Sequence, residues 1–456
     1  MNNFDAVIVG SGTAGQTAAY DLQEKGLKVA VVEKSDHPGG TCALAGCQPK
    51  KWFYEVTETV AKSEHLTGKG IAKAAKGVWA TIQKQKSGFT SRIPSGTVKD
   101  LKSAGIAYVK GNARFIDTGT LAVDGKPIKA GHILLATGAR PMELPIEGNE
   151  YLATSDDFLG LKKLPRRIVF VGGGFIAFEF AHFAARLGLS NVRIDILEAA
   201  DRPLGPFDPE MVDLLVAASG EEGIRVHTGI QITSIQKKAG EYIIRTDPRR
   251  IFKADLVVHG AGRIPNMEFL DLEAGKIQYS KRGITVDEGM KTSNPRVYAV
   301  GDCAATIQLA RVADYEAHVA AQNILAERGL SKSARIDYGA VPAVLFTYPQ
   351  YGMVGKTEAA LKQEGNAYRR SFEKNLEWPT YKRIGLKHAA YKILVGEENR
   401  ILGAHFLSDN TGGLVHTAKL AMVNGIPADD LYRQSIMSPY PTRESDLIYM
   451  LEPFIS

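Results

Sequence analysis

Short apolar runs alternate with longer amphipathic stretches near the start of the chain, and glycines mark the points of change. Residues 6–9 form a β-branched run, a helical pattern extends to Lys25, Gly26 ends it, and a second apolar run covers residues 29–32. Short apolar runs of this kind indicate strands, whereas the longer pattern between them indicates a helix. The start of the chain therefore predicts a strand–helix–strand unit.

The turn between that first strand and its helix has the spacing G-x-G-x-x-G. Gly10 makes the tight turn, Gly12 lets a pyrophosphate approach the backbone, and Gly15 lets helix and strand pack closely. The helix N-terminus then faces the phosphates, because its free N–H groups favour anions. Glu33 ends the second strand and can accept a hydrogen bond from a ribose hydroxyl. These residues predict a dinucleotide site, and the alternative is a glycine-rich surface turn.

The same pattern recurs further along the chain. A strand at residues 168–171 leads into a G-x-G-x-x-A turn at residues 172–177, a helix, and a second strand at residues 192–197. Glu198 follows that strand and favours NAD over NADP, because a carboxylate accepts from a free ribose hydroxyl and repels a phosphate. Arg202 lies nearby and weakens this preference a little. Two such units in one chain predict two dinucleotides, one flavin and one nicotinamide.

Composition and charge narrow the class of protein. The chain has 456 residues, 44% hydrophobic and 23% charged, which suits two to four globular domains. The net charge of +6 is mild, and no dense Lys/Arg run with interleaved aromatic residues indicates nucleic-acid binding. The sequence shows no signal-peptide pattern and no apolar run long enough for a membrane span. We therefore expect a cytoplasmic protein that binds neither nucleic acid nor membrane.

The candidate redox chemistry lies in a close pair of cysteines, Cys42 and Cys47. Three cysteines in all are too few for a secreted disulfide framework. The pair can reach disulfide distance across a bent turn or an irregular helical start, and a helix N-terminus lowers the pKa of a thiol. Half of a zinc site and buried structural cysteines are the alternatives, but the spacing is unusual for zinc and no metal site is predicted. Cys303 is interpreted as a small buried hydrophobe.

The segment 39–51, Gly-Gly-Thr-Cys-Ala-Leu-Ala-Gly-Cys-Gln-Pro-Lys-Lys, resembles the class I pyridine nucleotide-disulfide oxidoreductases. That family includes glutathione reductase, dihydrolipoyl dehydrogenase and mercuric reductase, and the resemblance covers essentially the whole chain. It implies that Cys47 lies against the flavin as a charge-transfer thiolate and that Cys42 exchanges with the substrate. It also implies that one lysine just after the pair, Lys50 or Lys51, approaches the flavin.

Further segments resemble the family in the same order. Glu179 matches the glutamate that pairs with the flavin-side lysine, and Phe175 stands where many members carry a tyrosine that gates the nicotinamide pocket. Residues 136–141 and 258–266 resemble the links between the two dinucleotide domains, and residues 297–302 resemble the strand whose aspartate binds the ribityl chain. The candidate cofactor-binding residues are therefore Gly10, Gly12, Ala14, Gly15, Glu33, Gly40, Thr41, Lys50, Lys51, Ala113, Thr137, Gly138, Gly172, Gly174, Phe175, Ala177, Glu198, Gly262 and Asp302.

The predicted fold class is α/β, with two Rossmann-like dinucleotide-binding domains and a C-terminal α+β interface domain. Residues 1–145 and 263–335 are assigned to the FAD domain, residues 146–262 to the NAD(H) domain, and residues 336–456 to the interface domain. Because family members are homodimers in which each site borrows the partner's interface domain, the resemblance implies a homodimer. The implied cofactors are FAD and NAD(H).

The C-terminal segment departs from the family, whose interface domain usually ends with His-Pro-Thr-x-x-Glu. Here Tyr440 replaces the histidine, Glu444 falls one residue earlier than the family glutamate, and Ser445 occupies its place. An imidazole exchanges protons near neutral pH, whereas a phenol titrates at about 10 and is a poor base. The candidate catalytic residues are Cys42, Cys47, Glu179, Tyr440 and Glu444.

The favoured function is transfer of electrons between NAD(P)H, flavin and the Cys42–Cys47 pair to a disulfide or dithiol, as in dihydrolipoyl dehydrogenase or glutathione reductase. Because Tyr440 replaces the histidine, reduction of a metal ion, a quinone or another acceptor is the alternative. We expect neither the C-terminal cysteine pair nor the metal-binding leader domain of many mercuric reductases. A redox-sensing or partner-binding dimer with little turnover is the third possibility.

Overall fold

The computed structural model describes residues 2–188, 191–247 and 249–455. The helices of this part of the chain are α1 (Thr13–Glu24), α2 (Gly40–Leu44), α3 (Cys47–Leu66), α4 (Trp79–Thr90), α5 (Ile93–Ser103), α6 (Ser155–Gly160), α7 (Phe175–Leu187), α8 (Pro209–Glu221), α9 (Ala310–Ala326), α10 (Glu358–Glu364), α11 (Pro379–Lys382), α12 (Gly412–Val423), α13 (Ala428–Ser435) and α14 (Leu447–Leu451). Its strands are β1 (Asn2–Val9), β2 (Val29–Glu33), β3 (Ala107–Lys110), β4 (Ala113–Asp117), β5 (Thr120–Val123), β6 (Lys126–Leu135), β7 (Ala139–Pro141), β8 (Arg167–Val171), β9 (Arg193–Leu197), β10 (Ile224–His227), β11 (Gln231–Lys238), β12 (Glu241–Asp247), β13 (Arg250–Ala254), β14 (Leu256–His259), β15 (Arg263–Pro265), β16 (Tyr279–Ser280), β17 (Gly283–Ile284), β18 (Val297–Ala299), β19 (Ala343–Leu345), β20 (Gln350–Gly355), β21 (Arg369–Lys374), β22 (Ala390–Val395) and β23 (Ile401–Ser408).

The chain forms two compact units, and both combine helices with sheet, which confirms the predicted α/β class. The domain bounds given above remain predictions. Among the described helices, none combines the length and the hydropathy that a bilayer crossing requires. The first unit contains Met1–Trp52, Ile82–Glu143 and Gly262–Asp337, and the second contains Phe53–Thr81, Leu144–Ala261 and Tyr338–Ser456.

The first unit is built on a sheet in the order β3-β2-β1-β6-β5-β4, with β18 also paired to β6. β1 is parallel to β2 on one side and to β6 on the other. Residues 6–9 of β1 are buried, so both faces of the strand are covered, which explains why its sequence is a continuous apolar run. Val9 pairs with Val32. Gly10 and Glu33 therefore leave the sheet at the same edge, and the predicted strand–helix–strand unit is confirmed.

The second unit repeats this arrangement in a smaller parallel sheet, in the order β10-β9-β8-β14. Val171 at the end of β8 pairs with Leu197 at the end of β9. The turn at residues 172–177 and the acid Glu198 therefore also share one sheet edge. Between the two strands, α7 buries most of its residues, in keeping with a helix that covers a parallel sheet.

An antiparallel sheet in the order β19-β20-β23-β22-β21 forms the C-terminal part of the second unit. Helix α12 packs on β20 and β23 and buries one of its faces. Its opposite side exposes Leu420 and Val423. This face of α12 is thus not covered by the part of the chain that the structure describes. The residues of α12 that are buried against the sheet are Leu414, Val415, Ala418 and Ala421.

Candidate active site

The glycines of the first turn meet two different needs. Gly10 has φ +112°, and a side chain there would collide with the Ala136 carbonyl, while a side chain at Gly15 would collide with the Gly10 carbonyl. At Gly12 the nearest described atom to such a side chain is the Gly40 Cα, at 3.8 Å. Packing within the protein therefore explains Gly10 and Gly15 but does not require a glycine at position 12. The open space above Gly12, at the N-terminus of α1, fits the pyrophosphate of a dinucleotide.

Glu33 is fixed at the same sheet edge by three hydrogen bonds. Its Oε2 accepts from the Ser11 backbone N–H at 2.9 Å and from the Ser11 hydroxyl at 2.6 Å, and its Oε1 accepts from the Ser35 N–H at 2.7 Å. The Ser11 hydroxyl oxygen also accepts from the Gly39 N–H at 3.1 Å. Ser11 is fully buried and links the turn, the acid and the cysteine segment. It occupies a variable position of the glycine motif, so the motif alone did not identify it.

The second turn fixes its acid in the same way. Glu198 Oε2 accepts from the Gly173 N–H at 2.6 Å, and Oε1 accepts from the Ala200 N–H at 2.7 Å. Gly172 has φ +92°, and a side chain there would collide with Ala261. The Arg202 guanidinium donates to the carbonyls of residues 204, 205 and 207. Arg202 is thus already bound to its own loop, while the Glu198 carboxylate is held in place by backbone groups.

The two cysteines lie on either side of a short break between helices. Cys42 is in α2, and Cys47 is the first residue of α3. Both are half-buried and present as free thiols. A hydrogen bond to Cys47, together with burial, raises the pKa of Cys42, and the negative charge of Asp314 raises it further. Cys47, as the first residue of α3, lies at a helix N-terminus, where a thiolate is favoured.

Gly40 joins the cysteine segment to the first dinucleotide turn. It has φ +76°, and a side chain on it would collide with the Gly12 backbone. Thr41 is exposed, and its carbonyl accepts from the Ala45 N–H at 2.9 Å, which closes α2. Lys50 and Lys51 are half-buried in the first turns of α3. The Gly12–Gly40 contact brings the cysteine segment against the open space above Gly12.

Four further predicted cofactor residues of the first unit lie at strand ends or next to them. Ala113 is buried at the start of β4. Thr137 and Gly138 follow β6, and Asn266 bonds to the carbonyls of both, through its side chain at 3.2 Å and its backbone N–H at 2.9 Å. Gly262 precedes β15 with φ +107°. These contacts tie the segment after β6 to the segment around β15.

Asp302 lies in a short helical turn after β18 and is half-buried. Burial raises the pKa of its carboxyl group, and the nearby Arg263 opposes this effect. The preceding Gly301 donates its N–H to the fully buried Glu316 on α9 at 2.6 Å. Cys303 has no exposed surface and donates to the carbonyls of Leu135 and Val300. The interpretation of Cys303 as a small buried hydrophobe is confirmed.

Glu179 lies in α7, within two helical turns of the glycine motif at residues 172–177. Its side chain is 1% exposed. Its Oε1 accepts from the Phe346 N–H at 3.0 Å. Ala177 is buried, whereas Phe175 at the start of α7 is half exposed, and its role as a gate remains a prediction. Pairing of Glu179 with a lysine after the cysteines remains a prediction.

The segment with Tyr440 is held on both sides. Before Tyr440, the Ser438 N–H donates to the Ser435 carbonyl at 3.1 Å. Arg443 Nε donates to Asp409 at 2.7 Å, and its guanidinium lies 4.3 Å from the centre of the Tyr381 ring. Thr442 and Ser445 exchange hydrogen bonds between side chains and backbone N–H groups at 3.1 Å. Tyr440 itself is 76% exposed. Ser445 thus serves as a local support for the turn.

Glu444 lies over the start of α12. A side chain at Gly413 would collide with its carboxylate, so the two residues are in direct apposition. A carboxylate at this end of a helix is stabilised by the free N–H groups there. The structure places Glu444 beside α12, and no described hydrogen bond joins it to Tyr440.

One cluster was not anticipated from the sequence. Thr13 at the start of α1 donates its hydroxyl to Asp314 on α9, and Arg311 donates to the same carboxylate at 3.1 Å. Asp314 also acts on Cys42 through its charge. No local motif could have revealed this, because Thr13 and Asp314 are 301 residues apart in the sequence.

Comparison with known proteins identifies the family. Residues 4–317 match the family model described as pyridine nucleotide-disulphide oxidoreductase, and residues 341–447 match the dimerisation domain of that family. The chain belongs to this family. The match confirms the resemblance drawn from the cysteine motif and the predicted C-terminal interface domain. The protein is therefore an NAD(P)H-dependent, FAD-containing oxidoreductase of the disulfide reductase class, and its dimerisation domain supports a homodimer.

Curated relatives differ in their substrates. The chain is 33% identical to a mercuric reductase of Staphylococcus aureus, over 98% of this chain and 81% of the relative. It is 32% identical to a dihydrolipoyl dehydrogenase of Bacillus subtilis over 77% of both chains, and 28% identical to a glutathione reductase of Schizosaccharomyces pombe over 98% of both chains.

A solved structure shares the fold. It is the HOCl-induced flavoprotein disulfide reductase RclA from Escherichia coli, with a TM-score of 0.87 and 23% identity, over 98% of this chain and 99% of that one.

Proposed function

We propose that this enzyme uses NADH to reduce a disulfide, with Cys42 and Cys47 as its redox pair. The observation that carries the proposal is the position of the two thiols. Cys42 hydrogen-bonds to Cys47 at the start of α3, and the segment rests through Gly40 on the dinucleotide turn at Gly12. Bound FAD would supply the electron relay between the nicotinamide and the thiols.

Cys42 and Cys47 would have different roles in the reaction. The Cys42 thiolate attacks the substrate disulfide and forms a mixed disulfide, which releases one substrate thiol. Cys47 then attacks the Cys42 sulfur, which releases the second thiol and leaves a Cys42–Cys47 disulfide. Two electrons from NADH return that disulfide to two thiols, so one NADH and one proton are consumed for each disulfide reduced.

Tyr440 of the partner subunit is the proposed proton donor to the released substrate thiolate. Its exposure supports this role, because a residue that acts in the partner's site must project from its own chain. A phenol donates protons at neutral pH but accepts them poorly. Disulfide reduction is therefore favoured over dithiol oxidation, which requires a base. Glu444 is proposed to hold the start of α12, on which this segment rests.

NADH is the proposed donor in preference to NADPH. The two oxygens of Glu198 are held by the Gly173 and Ala200 N–H groups, which leaves the carboxylate ready to accept from ribose hydroxyls. Arg202 is bound to loop carbonyls and is not set to meet a ribose phosphate. The proposed location is the cytoplasm, since three cysteines without a secreted framework suit a reducing compartment.

The test is NADH oxidation by wild type, Cys42→Ser and Tyr440→His with lipoamide and with glutathione disulfide. The proposal predicts turnover by wild type, loss to background in Cys42→Ser, and a gain of up to about 10²-fold in the reverse, dithiol-oxidising direction for Tyr440→His. Full disulfide turnover by Cys42→Ser would contradict it. Ferricyanide reduction by Cys42→Ser serves as the control that cofactors are bound.

The second candidate function is reduction of a metal ion or a quinone. The replacement of the family histidine by Tyr440 favours it, because such acceptors need no base at that position. Mercuric reductases among the relatives make mercuric ion the first acceptor to try. NADH-dependent turnover with Hg(II) or a benzoquinone that exceeds every disulfide by an order of magnitude or more would favour this function over the first.

A further inference from the structure

Tyr440 stands between two prolines, in the order Ser438-Pro439-Tyr440-Pro441-Thr442. A proline ring fixes its own φ and also restricts the residue before it, so Pro441 limits the backbone of Tyr440 as well as its own. The Tyr440 side chain is 76% exposed. A short and stiff segment therefore carries an exposed phenol, and the direction of that phenol depends on where the ends of the segment are fixed.

The residues after Pro441 fix one end of this segment. Arg443 Nε donates to Asp409 Oδ1 at 2.7 Å, and the Arg443 guanidinium lies 4.3 Å from the centre of the buried Tyr381 ring. The side chains of Arg443 and Asp409 are 13% and 12% exposed. Because partly buried ion pairs are screened much less than exposed ones, this contact is a firm anchor for the segment.

The carboxylate that receives Arg443 is itself held in the loop between β23 and α12. The Ser408 hydroxyl donates to Asp409 Oδ1 at 3.1 Å. Two residues further along, the Thr411 N–H donates to the side-chain oxygen of Gln350 at 3.0 Å, and both of these residues are buried. Since Gln350 begins β20, the loop is bound to the central part of the antiparallel sheet. Asp409 is therefore a fixed point to which the segment is attached.

We propose that Asp409 is a positioning residue that sets the direction of Tyr440 through Arg443. The inference rests on the proposed role of Tyr440 as the proton donor to the substrate thiolate across the dimer. A proton donor must lie within hydrogen-bond distance of the atom that it protonates, so a displaced phenol transfers its proton more slowly. Asp409 acts only through Arg443 in this account and does not touch the substrate.

The test is disulfide turnover by the FAD-loaded dimer with NADH and either lipoamide or glutathione disulfide. Asp409→Ala removes the acceptor of the Arg443 hydrogen bond, and its kcat should fall by about 10–100-fold, because small misplacements of a reacting group have effects of that size. Asp409→Asn should recover part of this loss, since its side-chain oxygen can still accept from Arg443. Each rate is divided by the rate of ferricyanide reduction in the same preparation, which corrects for loss of the fold or of FAD.

Combination with Tyr440→Phe separates positioning from a general structural role. In that background Asp409→Ala should lower the rate by a further factor of less than about 2, because both changes act on one group. A merely structural role predicts the same loss in both backgrounds. Asp255→Ala is the matched control, since Asp255 accepts from Arg167 Nε at 3.0 Å at the start of β8, the opposite end of that strand from the glycine motif. Its corrected rate should stay near that of wild type.

Three results would overturn the proposal: a wild-type rate in Asp409→Ala, no recovery in Asp409→Asn, or an equal loss with and without Tyr440→Phe. Arg443→Met removes the same hydrogen bond from the other partner. It decides if Asp409→Ala does not fold, because an unchanged rate in Arg443→Met overturns the proposal as well.

Amide hydrogen exchange tests the anchor without turnover. The Thr442 N–H donates to the Ser445 hydroxyl and should exchange faster in Asp409→Ala, whereas unchanged exchange would contradict the anchoring. Equal disulfide turnover by wild type and Tyr440→Phe would contradict the proposed role of Tyr440, and the inference with it. A loss of turnover in Tyr440→Phe without a loss in Asp409→Ala would overturn the inference alone.

Discussion

At the scale of single residues, the two acids that end β2 and β9 are held in the same way. Glu33 and Glu198 each direct one oxygen to the backbone N–H inside the glycine turn and the other to the N–H two residues further along. These bonds orient each carboxylate before any ligand arrives. They also explain why the sequence could identify both acids, since strand, turn and acid follow one another at short range.

Glu198→Ala should weaken the binding of NADH more than the binding of NADPH. Loss of a charge-assisted hydrogen bond of about 1.5–3 kcal/mol predicts a rise of about 10–100-fold in KM for NADH, with little change for NADPH. Steady-state kinetics with both cofactors measures this. Asp201→Asn, an exposed carboxylate in the same loop, is the matched control and should change neither value. An equal rise for both cofactors would mean that Glu198 does not select between them.

The sequence could not reveal residues that meet only in the fold. Ser11 occupies a variable position of the motif, and Asp314 reaches Thr13 from a helix at the far end of the first unit's sequence. The exposure of Tyr440 likewise depends on how Arg443 and its partners anchor the neighbouring turn. Local motifs predict local geometry, whereas these contacts depend on the packing of distant segments.

At the scale of elements, the contact between the α1 turn and the start of α2 brings the cysteines to the dinucleotide site. Gly40→Ala would put a side chain into the Gly12 backbone at a positive φ. We predict loss of bound FAD, measured as the ratio of absorbance at 450 nm to that at 280 nm after gel filtration. Gly26→Ala is the matched control, because Gly26 has φ +83° but nothing within 4 Å. Both variants bear backbone strain of about 1 kcal/mol, but only the first should lose FAD.

A buried ion cluster joins β22 to the starts of α8 and α10. The Lys392 ammonium, 1% exposed, donates to Asp208 at 2.8 Å and to Glu358 at 3.0 Å. Burial alone would raise the pKa of Glu358, but hydrogen bonds from Tyr368, Lys392 and Lys362 lower it to about 2. A carboxyl with a lowered folded pKa stabilises the protein above its unfolded pKa. That stability should therefore be lost as the pH falls from about 4.5 towards about 2.

Lys392→Met should destabilise the protein by about 3–5 kcal/mol, because it leaves buried carboxylates without their cation. Urea unfolding at neutral pH measures the loss. Lys362→Met is the matched control, since Lys362 pairs with the same Glu358 but is 65% exposed, and should cost less than about 1 kcal/mol. Similar losses in both variants would refute the importance of burial in this cluster.

At the scale of the whole molecule, we expect the second subunit to bind at the exposed apolar side chains of the dimerisation domain. Leu420 and Val423 project from α12, and Ile436 and Met437 precede the exposed Tyr440. Single exposed apolar residues are common, but several on one domain are typical of an interface. The fold class and the family could be predicted from the sequence because the motifs recur along the chain. The substrate could not, since relatives that share these motifs carry the names of different reductases and dehydrogenases.

Val423→Glu should weaken the dimer and abolish disulfide turnover while ferricyanide reduction continues, because in the proposed mechanism only the disulfide reaction needs the partner's Tyr440. Sedimentation velocity measures the first effect, and NADH oxidation measures the second. Val78→Glu, at a position 55% exposed outside the dimerisation domain, is the control. A monomeric variant with full disulfide turnover would show that each site is complete within one chain.

The most direct test of the central claim is the number of thiols that NADH generates. The oxidised enzyme is treated without oxygen with one equivalent of NADH, and newly reactive cysteines are alkylated and located by mass spectrometry. The account predicts two new thiols per subunit, at Cys42 and Cys47, with Cys303 unchanged. Oxidation of NADH without new thiols at Cys42 and Cys47 would place the pair outside the electron path and contradict the account.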